Sequence, residues 1–167
     1  MRGEEIQILG SSSTVDQKEQ LICLPGSHSK WVRVSCGNVI AFSTYMTGET
    51  YEAVRKNTIL SKTLEPDAWS EEAFMSGVQY SKTNKNILSQ LFHVRTQILF
   101  HELSSDESTS FISGLLIGHE LKSALQNSHG LKIYLIGDMA LTKIYGDAIS
   151  EFGGTVIQVD TDIVTAG

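Results

Sequence analysis

The chain has 167 residues, 41% of them hydrophobic and 19% charged, which suits one domain, or one domain with an appendage, and does not read as disordered. Thirteen Lys and Arg against nineteen Asp and Glu leave a net charge of −6, which argues against a nucleic-acid or anionic-membrane face. No apolar run approaches the roughly 18 residues of a membrane span, and Met1-Arg2-Gly3-Glu4-Glu5 does not read as a signal peptide. Cys23 and Cys36 are too few for a disulfide scaffold or a four-cysteine zinc site. The expectation is an acidic cytoplasmic protein with reduced thiols.

In chain order, residues 1–10 read as a short helix closed by Gly10, and the polar stretch 11–20 as the loop that enters the domain. Three short strands follow. Residues 21–24 run apolar into the break Pro25-Gly26. Residues 30–35 alternate with period two, and 38–43 form a third run after Cys36-Gly37, which reads as a hairpin. Helical periodicity then takes over. Thr47 is a candidate cap for a helix over 47–57, and Pro66 suits a first helical turn ahead of Trp69, Ala73, Phe74 and Val78. Residues 84–103 are read as a helix with Ile87, Leu88, Leu91, Phe92, Ile98 and Leu99 on one face. Ser104 and Glu107 have the capping-box spacing for the next helix, whose Phe111, Ile112, Leu115, Leu116, Leu121 and Leu125 should be buried. The tail is a βαβ unit, with strands 131–136 and 155–159 parallel about a helix over 139–152. The order is thus β-β-β-α-(extra helices)-α-β-α-β.

Four places could carry chemistry. The turn Gly26-Ser27-His28-Ser29-Lys30 gathers backbone N–H groups, hydroxyls, an imidazole and an ammonium, which suits phosphate oxygens as well as an ordinary hairpin corner. It lacks the P-loop spacing. Glu4 and Glu5 after Gly3 could supply a general base, or simply favour a helix start. Gly137-Asp138 opens a helix after a strand, a common ligand position in α/β sheets. Thr47, Gly48 and Glu49 lie at a strand-to-helix junction that could touch a ligand. His93 and His101 are eight residues apart, about 12 Å along a helix, too far to share an ion. His119 and His129 lack ligand-spaced partners, and Asp160 and Asp162 read as a hydrated loop.

The segments MRGEEIQILG, CLPGSHSKWV, FSTYMTGE, NTIL, LFHVR, SGLLIGHEL and YLIGDMALTKIYGDAI, taken in order, resemble the 2-dehydro-3-deoxygalactonokinases, also called 2-keto-3-deoxygalactonate kinases. The resemblance runs over nearly the whole chain. It implies the actin, hexokinase and acetate-kinase superfamily, whose members hinge two ribonuclease-H-like domains of βββαβαβ order around an ATP cleft. Residues 21–167 would be the second such domain, with inserted helices over about 60–103.

The same resemblance implies ATP and Mg²⁺ as cofactors and 2-dehydro-3-deoxy-D-galactonate as the acceptor, phosphorylated at its 6-hydroxyl. Gly26, Ser27, His28, Ser29 and Lys30 would cradle phosphates, and Ile136, Gly137 and Asp138 would meet adenosine. Thr47, Gly48 and Glu49 are assigned to substrate, and Glu5, then Glu4, to the base, by likeness to exopolyphosphatases. Two departures stand out. Leu24 or Pro25 occupies the place of the Asp that helps hold hydrated Mg²⁺ in many superfamily members, so no metal ligand is assigned. No Asp-x-Gly-Thr phosphate loop occurs, so the chain is expected to be the C-terminal part of such a kinase and inactive alone. The alternatives are a non-catalytic or dimerisation module of the same fold and an exopolyphosphatase-like hydrolase. No nucleic acid or membrane partner is expected, and a homodimer is a candidate assembly.

Overall fold

The computed structural model describes residues 19–64, 69–83, 85–128 and 130–159. The chain divides into two compact units, residues 1–45 with 124–167, and residues 46–123. The first helix expected, over 1–10, lies outside the described residues, as do Glu4, Glu5, Pro66, His129, Asp160 and Asp162.

The first unit is built on a five-stranded mixed sheet in the order β3-β2-β1-β4-β5. Its strands are β1 (Gln20–Leu24), β2 (Ser29–Ser35), β3 (Asn38–Tyr45), β4 (Lys132–Ile136) and β5 (Thr155–Val159). β1 pairs antiparallel with β2 and parallel with β4, and every residue of β1 is buried. A central strand covered on both faces reads as an unbroken apolar run, and LICL, after the buried Gln20, does. The β2–β3 hairpin turns on Cys36 and Gly37, at φ +49° and +76°, with Ser35 facing Asn38. Two left-handed residues in a row match the twist of the flanking strands, which is why Gly stands at the second.

Helix α5 is the crossover between the parallel strands β4 and β5, and spans Met139–Glu151. It ends where Gly153, at φ +77°, lets Gly154 N donate to Ile149 O at 3.0 Å. Ile22, Leu24, Val32, Val34, Tyr134 and Ile136 form one buried cluster of the sheet. Tyr145, Ala148 and Ile149 of α5 are buried, and backbone at Gly146 and Gly154 comes close to Leu135 and Ile133.

The second unit is helical. Helix α1 (Thr47–Asn57) leads into a short 3₁₀ turn over Ile59–Lys62. It is followed by α2 (Glu71–Ser81), α3 (Ile87–Leu99) and α4, which runs Ser108–Ala124 into the other unit. Val54, Leu60, Ala73, Val94, Ile98, Phe111, Ile112, Leu115 and Leu116 form its core. Ser70 caps α2 by accepting from Ala73 N, and Asn86 caps α3 by accepting from Leu88 N.

The order of elements in the described residues is the one periodicity led us to expect, but several details differ. The N-cap of α1 is Met46, without a side-chain bond, and Thr47 is its first helical residue. Helix α2 begins at Glu71, and α3 is confined to 87–99 because Asn86 caps it and the chain turns left-handed at His101, φ +59°. Helix α4 starts at Ser108 rather than Ser104, whose hydroxyl bonds the Glu107 carboxylate ahead of it. Leu88, Phe92 and Leu99 are exposed, while Ile87, Leu91, Val94 and Ile98 pack inward. Six apolar residues covered more of the circumference than one buried face can take. Among the described residues no helix is long and apolar enough to cross a membrane.

Candidate functional site

The parallel register Cys23↔Leu135 sets the ends of β1 and β4 side by side, so the turns that leave them meet. The carboxyl edge of adjacent parallel strands is where α/β sheets open for ligands, because the chain departs from both strands at once. Here the opening is a pocket of about 330 Å³ lined by Leu24, Pro25, Gly26, Ser27, His28, Lys30, Ile136 and Gly137. Two segments 106 or more residues apart in sequence, the Pro-Gly turn and the strand end Ile136-Gly137, thus build one concave site.

Each wall has a local reason. Leu24 and Ile136 are the last residues of their strands and belong to the sheet's buried cluster, so the floor is apolar and fixed. Gly137 has φ +150°, a backbone conformation that side-chain-bearing residues avoid, and its neighbours are Pro25 O and Thr142 Cγ2 at 3.7 and 3.8 Å from where a Cβ would stand. Ser27 and His28 are exposed on the turn, and Lys30 is half-buried at its foot, its Nζ 3.4 Å from His28 O. The pocket therefore combines an apolar floor, a hydroxyl, an imidazole and one ammonium. That set can hold an anion such as a phosphate group, with Lys30 as the point charge.

Not every expected residue reaches it. Ser29 is fully buried as the first residue of β2, its hydroxyl 3.5 Å from Tyr45 O, and it braces the strand pair outside the pocket lining. Asp138 is also outside the lining. Its Oδ1 accepts from Ala140 N at 3.0 Å and Leu141 N at 3.1 Å, the capping bonds of α5. Among the described residues no group of three His, Cys, Asp or Glu could hold a metal ion.

Thr47, Gly48 and Glu49 open α1 in the helical unit and are described there separately. Thr47 and Gly48 are half-buried and Glu49 is exposed. The Thr47 hydroxyl donates to Oε2 of Glu120, a carboxylate only 3% exposed in α4. The sequence reading passed over Glu120. The available signal was an acidic residue set among the inward positions Leu116, Ile117 and Leu121, where a charge is tolerated only if hydrogen-bonded. His119 is half-buried and meets Oε1 of Gln90, whose amide nitrogen donates to Tyr80 O and Thr83 Oγ1, both at 2.8 Å. Burial, then the charge of Lys122, lowers the His119 pKa.

The chain is similar to known proteins along nearly its whole length. A 2-dehydro-3-deoxygalactonokinase of Escherichia coli (strain K12) is 33% identical over 163 residues, covering 97% of this chain and 55% of the relative. A Rhizobium meliloti (strain 1021) protein assigned the same name is 36% identical over 167 residues, covering 97% of this chain and 55% of the relative. A crystal structure from Sinorhizobium meliloti, also assigned as a 2-dehydro-3-deoxygalactonokinase, superposes with a TM-score of 0.90 at 36% identity, over 98% of this chain and 56% of that one. The chain spans about half the length of these relatives. The family model described as 2-keto-3-deoxy-galactonokinase matches residues 1–167, from one end of the sequence to the other, and the chain belongs to that family.

Proposed function

We propose that this chain is the C-terminal portion of an ATP-dependent sugar-acid kinase that transfers the γ-phosphoryl group to the 6-hydroxyl of 2-dehydro-3-deoxy-D-galactonate. The observation that carries the reading is the pocket between the β1 turn and the end of β4, where Gly26, Ser27, His28 and Lys30 face Ile136 and Gly137. Residues 21–167 are read as a ribonuclease-H-like domain, the second of an actin-like kinase, with helices inserted over about 60–103. The sheet order β3-β2-β1-β4-β5 supports that reading.

In this reading Ser27 and Lys30 bind phosphate oxygens, and Ile136 and Gly137 lie against the adenosine. Ser29 and Asp138 hold the two turns in shape rather than touching nucleotide, as their hydrogen bonds suggest. Gly48 and Glu49 contact the sugar acid, with Thr47 held by Glu120. Glu5, or Glu4 in second place, takes the proton of the attacking hydroxyl. The residues here fit a nucleotide better than a bare metal ion, so Mg²⁺ would arrive on the phosphates and neutralise their charge. Catalysis of this kind is mainly positioning and charge stabilisation. ATP as donor puts the work in the cytoplasm.

Calorimetric titration of the 167-residue chain with Mg-ATP tests the reading directly. Lys30→Ala should weaken ATP binding about tenfold or more, the scale of a lost charge-assisted hydrogen bond. Equal affinity in wild type and Lys30→Ala would overturn the assignment of the pocket. In a kinase that carries this chain as its C-terminal portion, ADP release that depends on added 2-dehydro-3-deoxygalactonate tests the acceptor, and Glu5→Gln there should abolish it while leaving ATP affinity unchanged.

A further inference from the structure

The helix α3 is apolar on two adjacent faces. Ile87, Leu91, Val94 and Ile98 pack into the core of the helical unit. About a quarter-turn away, Leu88 is 73% exposed, Phe92 57% and Leu99 56%, and Phe100 beyond the helix end is 74% exposed. A solvent-facing helix normally turns a polar face outward, and a second apolar stripe is a face open to a partner. Leu88, Phe92, Arg95 and Leu99 follow one another at spacings of four, three and four, the repeat of a helix–helix seam.

We infer that this stripe is the interface of a homodimer, in which α3 packs antiparallel against α3 of a second copy about a two-fold axis. Three features of the stripe fit a second copy. The spacing is the same read in either direction, so antiparallel pairing sets Leu88 against Leu99 of the second copy and Phe92 against its Arg95, and the two-fold repeats both contacts. In a parallel two-fold pair Arg95 would instead meet Arg95. Antiparallel pairing replaces that repulsion with a guanidinium beside an aromatic ring. Helix α3 carries no Asp or Glu, so the acidic surplus of the chain is kept off the seam.

The apolar area is smaller than that of a standard interface, so the dimer is a weak, reversible one. With side chains of about 200 Å² for Phe and somewhat less for Leu, the stripe residues Leu88, Phe92 and Leu99 offer on the order of 350 Å² of apolar surface, and Phe100, about 100° further round the helix, lies at its rim. A standard interface buries about 800 Å² per partner. Ile59, exposed beside the Arg95 guanidinium that donates to its carbonyl at 3.2 Å, extends the patch. Area does not fix affinity, but an interface this small is expected to dissociate in the micromolar range.

Sedimentation of the 167-residue chain across about 1 to 200 µM, which covers that range, should show a monomer–dimer equilibrium. Phe92→Glu should weaken it at least about tenfold, the loss expected at a central aromatic anchor. Its circular dichroism and melting temperature should stay those of wild type. Phe42→Glu on the exposed strand β3 should leave the dimer intact. Geometry is tested separately in a Cys36→Ser background. The combined Leu88→Cys and Leu99→Cys variant should oxidise to a covalent dimer. Leu88→Cys alone should not, because the two copies of residue 88 would stand about 16 Å apart along the seam. A monomer at the highest concentration would overturn the inference and leave the stripe to another partner. So would a dimer indifferent to Phe92→Glu, or crosslinking by Leu88→Cys alone. None of these outcomes depends on kinase activity.

Discussion

At the scale of single residues, Gly137 and His119 make opposite demands. Gly137 sits at φ +150° with no atom closer than 3.7 Å to a would-be Cβ, so an added methyl has room but the backbone does not suit it. Gly137→Ala should therefore destabilise by about 1–3 kcal/mol through backbone strain alone. If the strained turn relaxes, ATP affinity should fall with stability; urea titration and calorimetry on the same variant read both. His119 has its pKa lowered by burial and by Lys122, so the unfolded chain binds the proton more readily than the folded one. Its contribution to stability is complete above the ordinary histidine value near 6.5 and is lost as pH falls through the lowered folded value. Thermal unfolding between pH 7.5 and 5 should show that decline, and His119→Gln should flatten it. The site was partly legible in the sequence. LPGSHSK announced its donors because Pro-Gly punctuates a strand. Nothing in the spacing could show that Ser29 turns inward to Tyr45, or that Asp138 is spent on capping, since both depend on where neighbouring backbone lies. Glu120 was missed because its partner Thr47 is 73 residues away.

At the scale of elements, the helical unit depends on a close crossing of α2 and α4. A Cβ on Gly114 would lie 1.9 Å from Phe74 O, and one on Gly77 would lie 2.1 Å from Phe111 O, both backbone atoms that cannot move without parting the helices. Gly114→Ala should cost about 3 kcal/mol, the upper end of ordinary overpacking. Gly118→Ala should cost less but not little: the Ser81 hydroxyl at 2.1 Å can rotate away from its bond to Val78 O, whereas Ser81 Cβ at 2.7 Å moves only with its backbone. Urea midpoints of the two variants should fall in that order, and equal midpoints would mean that the crossing adjusts freely. Element type was well marked by the sequence: period two in β2, the unbroken apolar β1, and the βαβ tail were each seen. What periodicity could not give was which apolar arc of a helix is buried. On α3 it merged two neighbouring faces into one, because counting apolar positions records that a face is hydrophobic and not what it meets. The helix starts also slipped, since Ser104 has the capping-box spacing yet spends its hydroxyl on Glu107 in the turn before α4.

At the scale of the molecule, charge and shape act against each other. Each copy carries a net charge of −6, so two copies repel at long range, while the seam on α3 holds only Arg95 among residues fully charged at neutral pH. The attraction is apolar and short-range. The repulsion acts over a Debye length, about 20 Å in 25 mM salt and under 6 Å in 300 mM. Raising salt between those limits should therefore screen the repulsion and leave the apolar contact untouched, lowering the dissociation constant severalfold. An interface held by ion pairs would respond in the opposite direction, weakening as salt is added. Sedimentation of the wild-type chain at the two salt concentrations separates these cases. Tightening would fit an apolar seam between acidic bodies, and weakening would mean that the copies associate through charged surface away from α3. Arg95→Gln refines the result. It removes one favourable charge from each acidic copy and one cation from beside an aromatic ring, so it should loosen the dimer at both salt concentrations and steepen its salt dependence.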